Sequence, residues 1–272
     1  MKSHLSGFAV FGPDATPPQQ HIFELYHENS KLRPGIAPPR PEVFAAPQSK
    51  PRSVKPNRYP HAQVFRLPSF DDADWISLSW LGLISKRRSY RQFETRALPL
   101  TSLAAILHSA YGVTRASPNI AANDHERRHS PSAGALFPLE IYAALNYTDT
   151  PPPGLYHYSS GDHALAQLAA LDPAKVLQRS CLDGATIGSA PLILIIAAAF
   201  GQTTAKYGDR GYRYILLEAG HVAQTITLAA VSLGLATLPI GGFNDDKINA
   251  WIGLDGVNEA VCYMIGIGEP VT

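Results

Sequence analysis

The chain has 272 residues, 45% of them hydrophobic, and sets 23 basic against 22 acidic side chains for a net charge of +1. That length can bury a sizeable core in one large domain or two small ones, and the near-neutral balance excludes the long-range basic field that recruits nucleic acid or an anionic membrane. Cys181 and Cys262 are the two cysteines; with no CxxC pair and no His-plus-Cys spacing suited to a metal, a reduced, cytoplasmic setting without a metal centre is the simpler reading.

In chain order, MKSHLSGFAVFGPDATPP is broken by Gly, Pro and Asp too often for a signal peptide. HIFELYHENSK (21–31) has helical spacing. About half of the 23 prolines fall before residue 70, and so many missing amides and fixed φ angles make 34–69 an extended arm. Residues 1–70 are therefore expected to form a short helix and arm, and 71–272 the folded domain.

DDADWISLSWLGLISKRRS, from residue 71, predicts a capped amphipathic helix with Asp in its first turn and Lys-Arg-Arg at its end, as the macrodipole favours. LTSLAAILHSAYG (100–112) predicts a helix with Thr101 as N-cap and Gly112 as stop. LEIYAALNY (139–147) has strand composition, and GLYHYSSGDHALAQL predicts a hairpin turning at Ser-Gly-Asp. DPAKVLQRSCLDGATI then reads as one helix, and APLILIIAAAFG (190–201), too short to span a bilayer, as a buried strand. A long helix over 209–233 and a closing strand over 259–268 complete the order. Hairpins mixed with crossovers favour an α+β three-layer domain over a doubly wound parallel sheet.

Four stretches could carry chemistry. In KRRSYRQF (86–93), Arg87, Ser89 and Arg91 alternate, so an extended backbone would aim two guanidiniums and a hydroxyl at one anion such as a phosphate; the plainer reading is a helix end with solvated arginines. In HSPSAGALFPLEIY, Ser132, Ala133, Gly134 and Ala135 lie between Pro131 and Pro138 and leave amides uncovered for a flat ring or polar chain, or form a turn before a strand. In LPIGGFND, Gly241 and Gly242 after Pro239 allow close backbone approach. There is no GxGxxG and no P-loop, so neither phosphate-binding fingerprint is present.

The fourth stretch is TTAKYGDRGYRYILLEAGHVAQ (203–224). The helical period brings Tyr214, Leu217, Glu218, His221, Gln224 and Thr225 towards one side of a small-residue helix, as at an interface or pocket wall; His221 could equally be a core histidine bonded to a carbonyl. Lys206 and Tyr207 diverge by about 100° on a helix and about 180° on a strand, so both reach one substrate only from an irregular turn, which Gly208-Asp209 could supply. A solvated lysine beside a packed tyrosine is the alternative.

RRSYRQF, PSAGALFPLEIY, GLYHY, KYGDRGYRYILLEAGHVAQ and PIGGF, in this order, resemble the nitroreductase-like flavoproteins of the SagB/McbC (SagB/ThcOx) type, the azoline dehydrogenases that make thiazoles and oxazoles in ribosomally made peptides. The resemblance covers about residues 75–268, and YHENSK looks like the family's opening helix. It implies a three-layer fold with a mixed, mainly antiparallel sheet flanked by helices, in a domain-swapped homodimer with FMN at each subunit interface.

It further implies that Arg87, Arg88, Ser89 and Arg91 hold the phosphate and ribityl chain, that Pro131, Ser132, Ala133 and Gly134 approach the isoalloxazine from the partner chain, and that Pro239, Gly241 and Gly242 back the ring. The helix over 209–233 would form the dimer core. Lys206-Tyr207 matches the family's catalytic pair. Lysine could take the proton leaving the azoline ring only if desolvation or a nearby cation lowered its pKa from about 10.4 towards 7 to 8; Tyr207 would relay the proton or hold the ring. Many nitroreductases place a late basic residue on the phosphate, whereas GIGEPVT carries none, which leaves that duty to Arg87 and Arg91 or to a residue elsewhere in the chain.

The partners implied are a modified precursor peptide and a cyclodehydratase complex. The alternatives are an NAD(P)H-dependent nitro or quinone reductase of the same fold, and a non-catalytic scaffold of a biosynthetic complex.

Overall fold

The apolar run at 192–199 forms strand β7 (Leu192–Ala199) inside a seven-stranded sheet of the computed structural model, which describes residues 22–31, 58–69, 79–114, 127–148, 150–170 and 172–271. The opening 21 residues, most of the Pro-rich arm and the Asp-rich stretch at 70–78 lie outside the described residues. The chain divides into two compact units, 1–38 and 39–272. In the first, helix α1 (Ile22–Asn29) stands where helical spacing placed it.

In the second unit the strands are β1 (Val64–Arg66), β4 (Leu139–Leu145), β5 (Gly154–Ser159), β6 (Ala164–Ala169), β7, β8 (Ala236–Ile240) and β9 (Glu259–Gly268), in the order β1-β6-β5-β4-β7-β9-β8. Their pairings are all antiparallel, and among the described residues the parallel element is the single bridge Ser89↔Thr237. A two-residue ribbon, β2 (Val113–Thr114) with β3 (Arg127–Arg128), stands apart. The strand over 259–268 ends the chain's order of elements but sits between β7 and β8.

Alternation along β4 and β7 divides the core. Leu139, Ile141, Ala143, Leu194 and Ile196 face helices α3 (Leu100–Tyr111) and α7 (Arg210–Ser232). Tyr142, Ala144, Ile193 and Ile195 face α4 (Pro173–Ser180), α5 (Gly184–Ser189) and α8 (Asp245–Ile252). Helices on both faces of a sheet that is buried on both sides give the three layers. By length and composition α7 could cross a membrane, yet 56% of that apolar window is buried inside the fold.

Three local expectations are corrected. Thr101 lies inside α3, because Pro99, with φ of −55° suited to helix entry, takes the capping position; Gly112 is the C-cap as predicted. The segment 172–187 is two helices, because at Cys181 the chain leaves the helix to bridge Phe243, and Leu182 N–H donates to the Gly242 carbonyl at 3.0 Å. The helix predicted from residue 71 begins, among the described residues, at Trp80 in α2 (Trp80–Lys86), where the Ser79 hydroxyl accepts from Gly82 N–H at 3.1 Å.

The end of the arm is tied to the sheet. Arg58 pairs with Glu259, and the Tyr59 hydroxyl lies 3.2 Å from that of Tyr142. On the opposite face His108 of α3, His129 and His163 of the β5–β6 turn pack ring against ring at 4.9 and 5.5 Å between centroids. Burial first, then charge repulsion from the neighbouring histidine, holds His108 and His163 below the usual histidine range. A bond to the Pro68 carbonyl partly opposes this at His163, and the Tyr158 hydroxyl sits 3.0 Å from its Nδ1.

A depressed histidine is neutral in the fold and protonates more easily unfolded. Above the unfolded value, near 6.5, no penalty exists; as pH falls through it the unfolded chain gains protons that the fold resists, and stability drops. The thermal midpoint is expected to fall from pH 7 to pH 5, and His108→Gln to flatten that fall. An unchanged pH slope in His108→Gln would rule the cluster out as its source.

Candidate active site

The first group of sequence-predicted residues gathers at the free edge of β8. After α2, Arg87 is extended (φ −62°, ψ 122°). The chain then runs beside β8 through the Ser89↔Thr237 bridge and a 2.9 Å bond from Tyr90 N–H to the Thr237 carbonyl. Tyr90 and Phe93 turn into the core, three residues apart, so the strict alternation predicted for 87–91 is interrupted by a bend at Arg91. Arg88, Ser89 and Arg91 are exposed and Arg87 is half-buried. Among the described residues none of these three arginines has a carboxylate partner.

Pro239 lies in β8 itself, where an edge strand tolerates a residue without an N–H. The two glycines follow at once. A Cβ on Gly241 would meet nothing nearer than Tyr263 at 4.0 Å, so its backbone is open; one on Gly242 would lie 2.8 Å from Leu182 Cδ1, a side chain 89% exposed. Uncompensated guanidiniums beside bare backbone suit an anionic group carrying a flat ring.

The second group is built by β7, which runs directly into α6 (Phe200–Tyr207). Lys206 and Tyr207 were expected on an irregular turn; they occupy the last turn of this helix, and Gly208 (φ 58°) breaks the chain only after them. They still converge. A Cβ on Gly134 would stand 2.6 Å from the Tyr207 hydroxyl and 2.8 Å from Lys206 Nζ. The lysine is long enough to fold back, with Nζ 5.2 Å from the Tyr207 ring centroid.

Gly134 is held there by a strained loop. Gly134, Ala135 and Phe137 have φ of 63°, 52° and 49°, a region costly for residues with a Cβ. The Ser132 hydroxyl accepts from Phe137 N–H at 2.9 Å, and Gln202 of α6 donates to the Leu136 carbonyl at 2.6 Å. Pro131 and Gly134 are exposed, Ser132 and Ala133 half-buried. Loop 131–136 and α6 therefore form one unit within the chain.

Sequence reasoning put Tyr214 and Glu218 on one side of α7 but missed Arg210, which extends them to a stripe at i, i+4, i+8. Arg210 Nε donates to the Tyr214 hydroxyl at 3.0 Å, and the Tyr214 ring meets the Tyr207 ring edge-on at 5.2 Å and 89°. Glu218, 3% exposed, accepts at 2.9 Å from the Tyr111 hydroxyl, which itself accepts from Leu139 N–H at 3.2 Å. Burial, reinforced by Glu218, pushes the Tyr111 phenol well above its usual range, so it stays a donor. The spacing of Arg210, Tyr214 and Glu218 was the available signal. The predicted polar side of α7 is divided: Glu218 faces inward, whereas Leu217, His221 and Gln224 are exposed, so His221 is not a core histidine.

Within one chain the two groups stand apart. Loop 131–136 precedes β4 and the glycines follow β8, with β7 and β9 between, which is three strand spacings or about 14 Å.

A three-layer α+β domain with arginines and open glycines on one sheet edge and a lysine–tyrosine pair at the sheet's end has the nitroreductase-like architecture. The chain belongs to the nitroreductase family, a family of oxidoreductases: its sequence pattern matches residues 84–269. A Methanocaldococcus jannaschii protein named as a nitroreductase is 39% identical over 61% of this chain and 80% of its own length. The microcin B17-processing protein McbC of Escherichia coli is 30% identical over 47% of this chain, and the match spans about half, 49%, of McbC. Among solved structures, the E. coli microcin synthetase McbBCD complex with truncated pro-MccB17 bound contains a chain of the same fold, with a TM-score of 0.59, 20% identity and 92% of each chain covered.

Proposed function

We propose that the protein is an FMN-dependent azoline dehydrogenase that oxidises thiazoline or oxazoline rings of a ribosomally made peptide to thiazoles or oxazoles. The observation that carries this reading is the convergence of Lys206 Nζ and the Tyr207 hydroxyl on Gly134. The McbC relative supports it.

The residues present fit FMN. Arg87, Arg88 and Arg91, with no carboxylate partner among the described residues, suit a phosphate, Ser89 can bond the ribityl chain, and the segment Pro239, Gly241 and Gly242, open at Gly241, suits one face of a flat ring. Bound FMN would supply the two-electron acceptor. Lys206, as the neutral amine, takes the proton from the ring carbon next to the C=N bond, and the Tyr207 hydroxyl holds the azoline or passes that proton to water. Pro131, Ser132, Ala133 and Gly134 shape the space where the substrate ring lies.

Because the two groups stand on different parts of one chain, we assign each complete site to a homodimer, phosphate arginines from one protomer facing the Lys-Tyr unit of the other. Exposed Leu216 and Leu217 on α7 and Trp80 and Leu81 on α2 support that interface. Residues 71–272 form the FMN domain, the end of the arm lending it β1. The precursor peptide and a cyclodehydratase are the partners assigned, in the cytoplasm. Free Cys181 and Cys262 agree with a reducing setting; burial pushes their thiols up to about 11 and about 12.

The test is a visible spectrum of the purified protein, identification of any released chromophore, and turnover of an azoline peptide with oxygen. Bound FMN and a two-hydrogen mass loss per ring are expected. Arg87→Ala combined with Arg91→Ala is expected to weaken FMN binding by about 100-fold or more, two charge-assisted bonds of roughly 1.5–3 kcal/mol each being lost. A protein that binds FMN but oxidises NAD(P)H with nitro compounds and ignores azolines would favour the reductase reading, which the M. jannaschii relative supports. A protein that cannot take up FMN would leave the scaffold.

A further inference from the structure

We propose that Tyr214, held by Arg210, is a positioning residue that sets the ring of Tyr207 and leaves its hydroxyl free. The inference rests on the proposed role of Lys206 and Tyr207, and goes beyond it by naming what holds the pair in place.

Tyr207 is the last residue of α6, and Gly208 turns the chain away immediately after it. No following helical turn supports the side chain. Among the described residues the Tyr207 hydroxyl has no hydrogen-bond partner, so contacts of the ring must fix its direction. Two are in place. The Tyr214 ring meets it edge-on at 5.2 Å and 89°, the favoured arrangement for an aromatic pair, and Lys206 Nζ sits 5.2 Å from its centroid.

Tyr214 is itself anchored. Arg210, one turn earlier on the same face of α7, donates from Nε to the Tyr214 hydroxyl at 3.0 Å, with its guanidinium carbon 5.5 Å from the ring centroid. Arg210 therefore sets Tyr214, Tyr214 sets the ring of Tyr207, and the phenol is left to meet a substrate. A phenol engaged in an internal bond could do this only after breaking it.

The two helices do not depend on this contact. Phe200 and Tyr212 pack at 5.3 Å across the same junction, and a Cβ on Gly211 would lie 2.8 Å from Thr204 Cα, so α6 and α7 cross almost backbone to backbone. Removing the Tyr214 ring should leave the fold intact.

The experiment compares Tyr214→Leu, Tyr214→Phe, Arg210→Met and the double variant Arg210→Met/Tyr214→Phe in the full chain. Tyr214→Leu is expected to lower kcat about 10- to 100-fold with KM within about 2-fold, as for a displaced reacting group. Tyr214→Phe and Arg210→Met are expected to lose less, about 3-fold each, and the double variant less than the product of the two losses, since both remove the bond between these side chains. Bound flavin and thermal midpoint should be retained.

A second readout needs no turnover. In protein labelled with fluorotyrosine, the Tyr207 resonance, identified by its loss in Tyr207→Phe, should shift in Tyr214→Leu. An unmoved Tyr207 resonance, or multiplicative losses in the double variant, would overturn the brace. If the resonance moves but Tyr207→Phe and Tyr207→Ala leave azoline turnover intact, the brace stands and the catalytic reading of Tyr207 fails.

Discussion

Lys206→Ala is expected to lower kcat for azoline oxidation by about 100-fold or more while the protein keeps its flavin, because a positioned base contributes roughly 10²–10⁴ to a proton transfer. The separation of the two groups gives this prediction its sharpness. Lys206 stands in the last turn of α6, which follows β7, whereas the arginines assigned to FMN run beside β8 and the glycines assigned to it follow that strand. Truncating the lysine therefore removes the assigned proton acceptor without removing any of the arginines or glycines assigned to FMN. Tyr207→Phe is expected to lose less than Lys206→Ala, since the ring and its contacts with Tyr214 and Lys206 remain. The measurement is kcat and KM beside the visible flavin absorbance of each variant. A colourless Lys206→Ala protein would move the lysine from chemistry to cofactor binding, and full activity would remove it from the site.

What could be read from the sequence divides along a physical line. Buried strands announce themselves: Leu192–Ala199 is a continuous apolar run of strand length, and Leu139–Leu145 and Glu259–Gly268 come close to it. The long helix was legible for the same reason, at Arg210–Ser232 against an expected 209–233. Breaks imposed by distant partners were not. Cys181 ends a helix because residues 242–244 lie beside it, and no local signal carries that contact. In the site, residue types were legible and their conformation was not. Lys206 and Tyr207 looked unable to share a target from a helix, because the divergence of about 100° applies to Cβ directions and not to the tips of long side chains. Glu218 read as part of a polar face, while its bond to Tyr111 draws it into the core. A pairing of residues 107 positions apart is invisible to any helical period.

The conformation of Gly134 leads to the second large effect, in Gly134→Ala. Two costs arise and they fall on different quantities. The backbone cost is modest: a residue with a Cβ at φ 63° is destabilised by about 1–2 kcal/mol, and the neighbouring Ala135 and Phe137 already adopt such angles. The steric cost is not shared by the fold at large. The new methyl carbon would lie 2.6 Å from the Tyr207 hydroxyl and 2.8 Å from Lys206 Nζ, and the backbone is not its nearest neighbour. Those tips end flexible side chains, so they yield, and the overlap is relieved by displacing the two groups to which the proposed function assigns turnover. A shift of about 1 Å in a reacting group can cost roughly 10²-fold in rate, so Gly134→Ala should lose activity on that scale while its thermal midpoint falls by only a few degrees and its flavin stays bound. Calorimetry beside kcat and KM separates the two costs. A variant with a lowered midpoint and unimpaired kcat would mean that Lys206 and Tyr207 need not meet at Gly134 for turnover, and the convergence would lose its functional meaning.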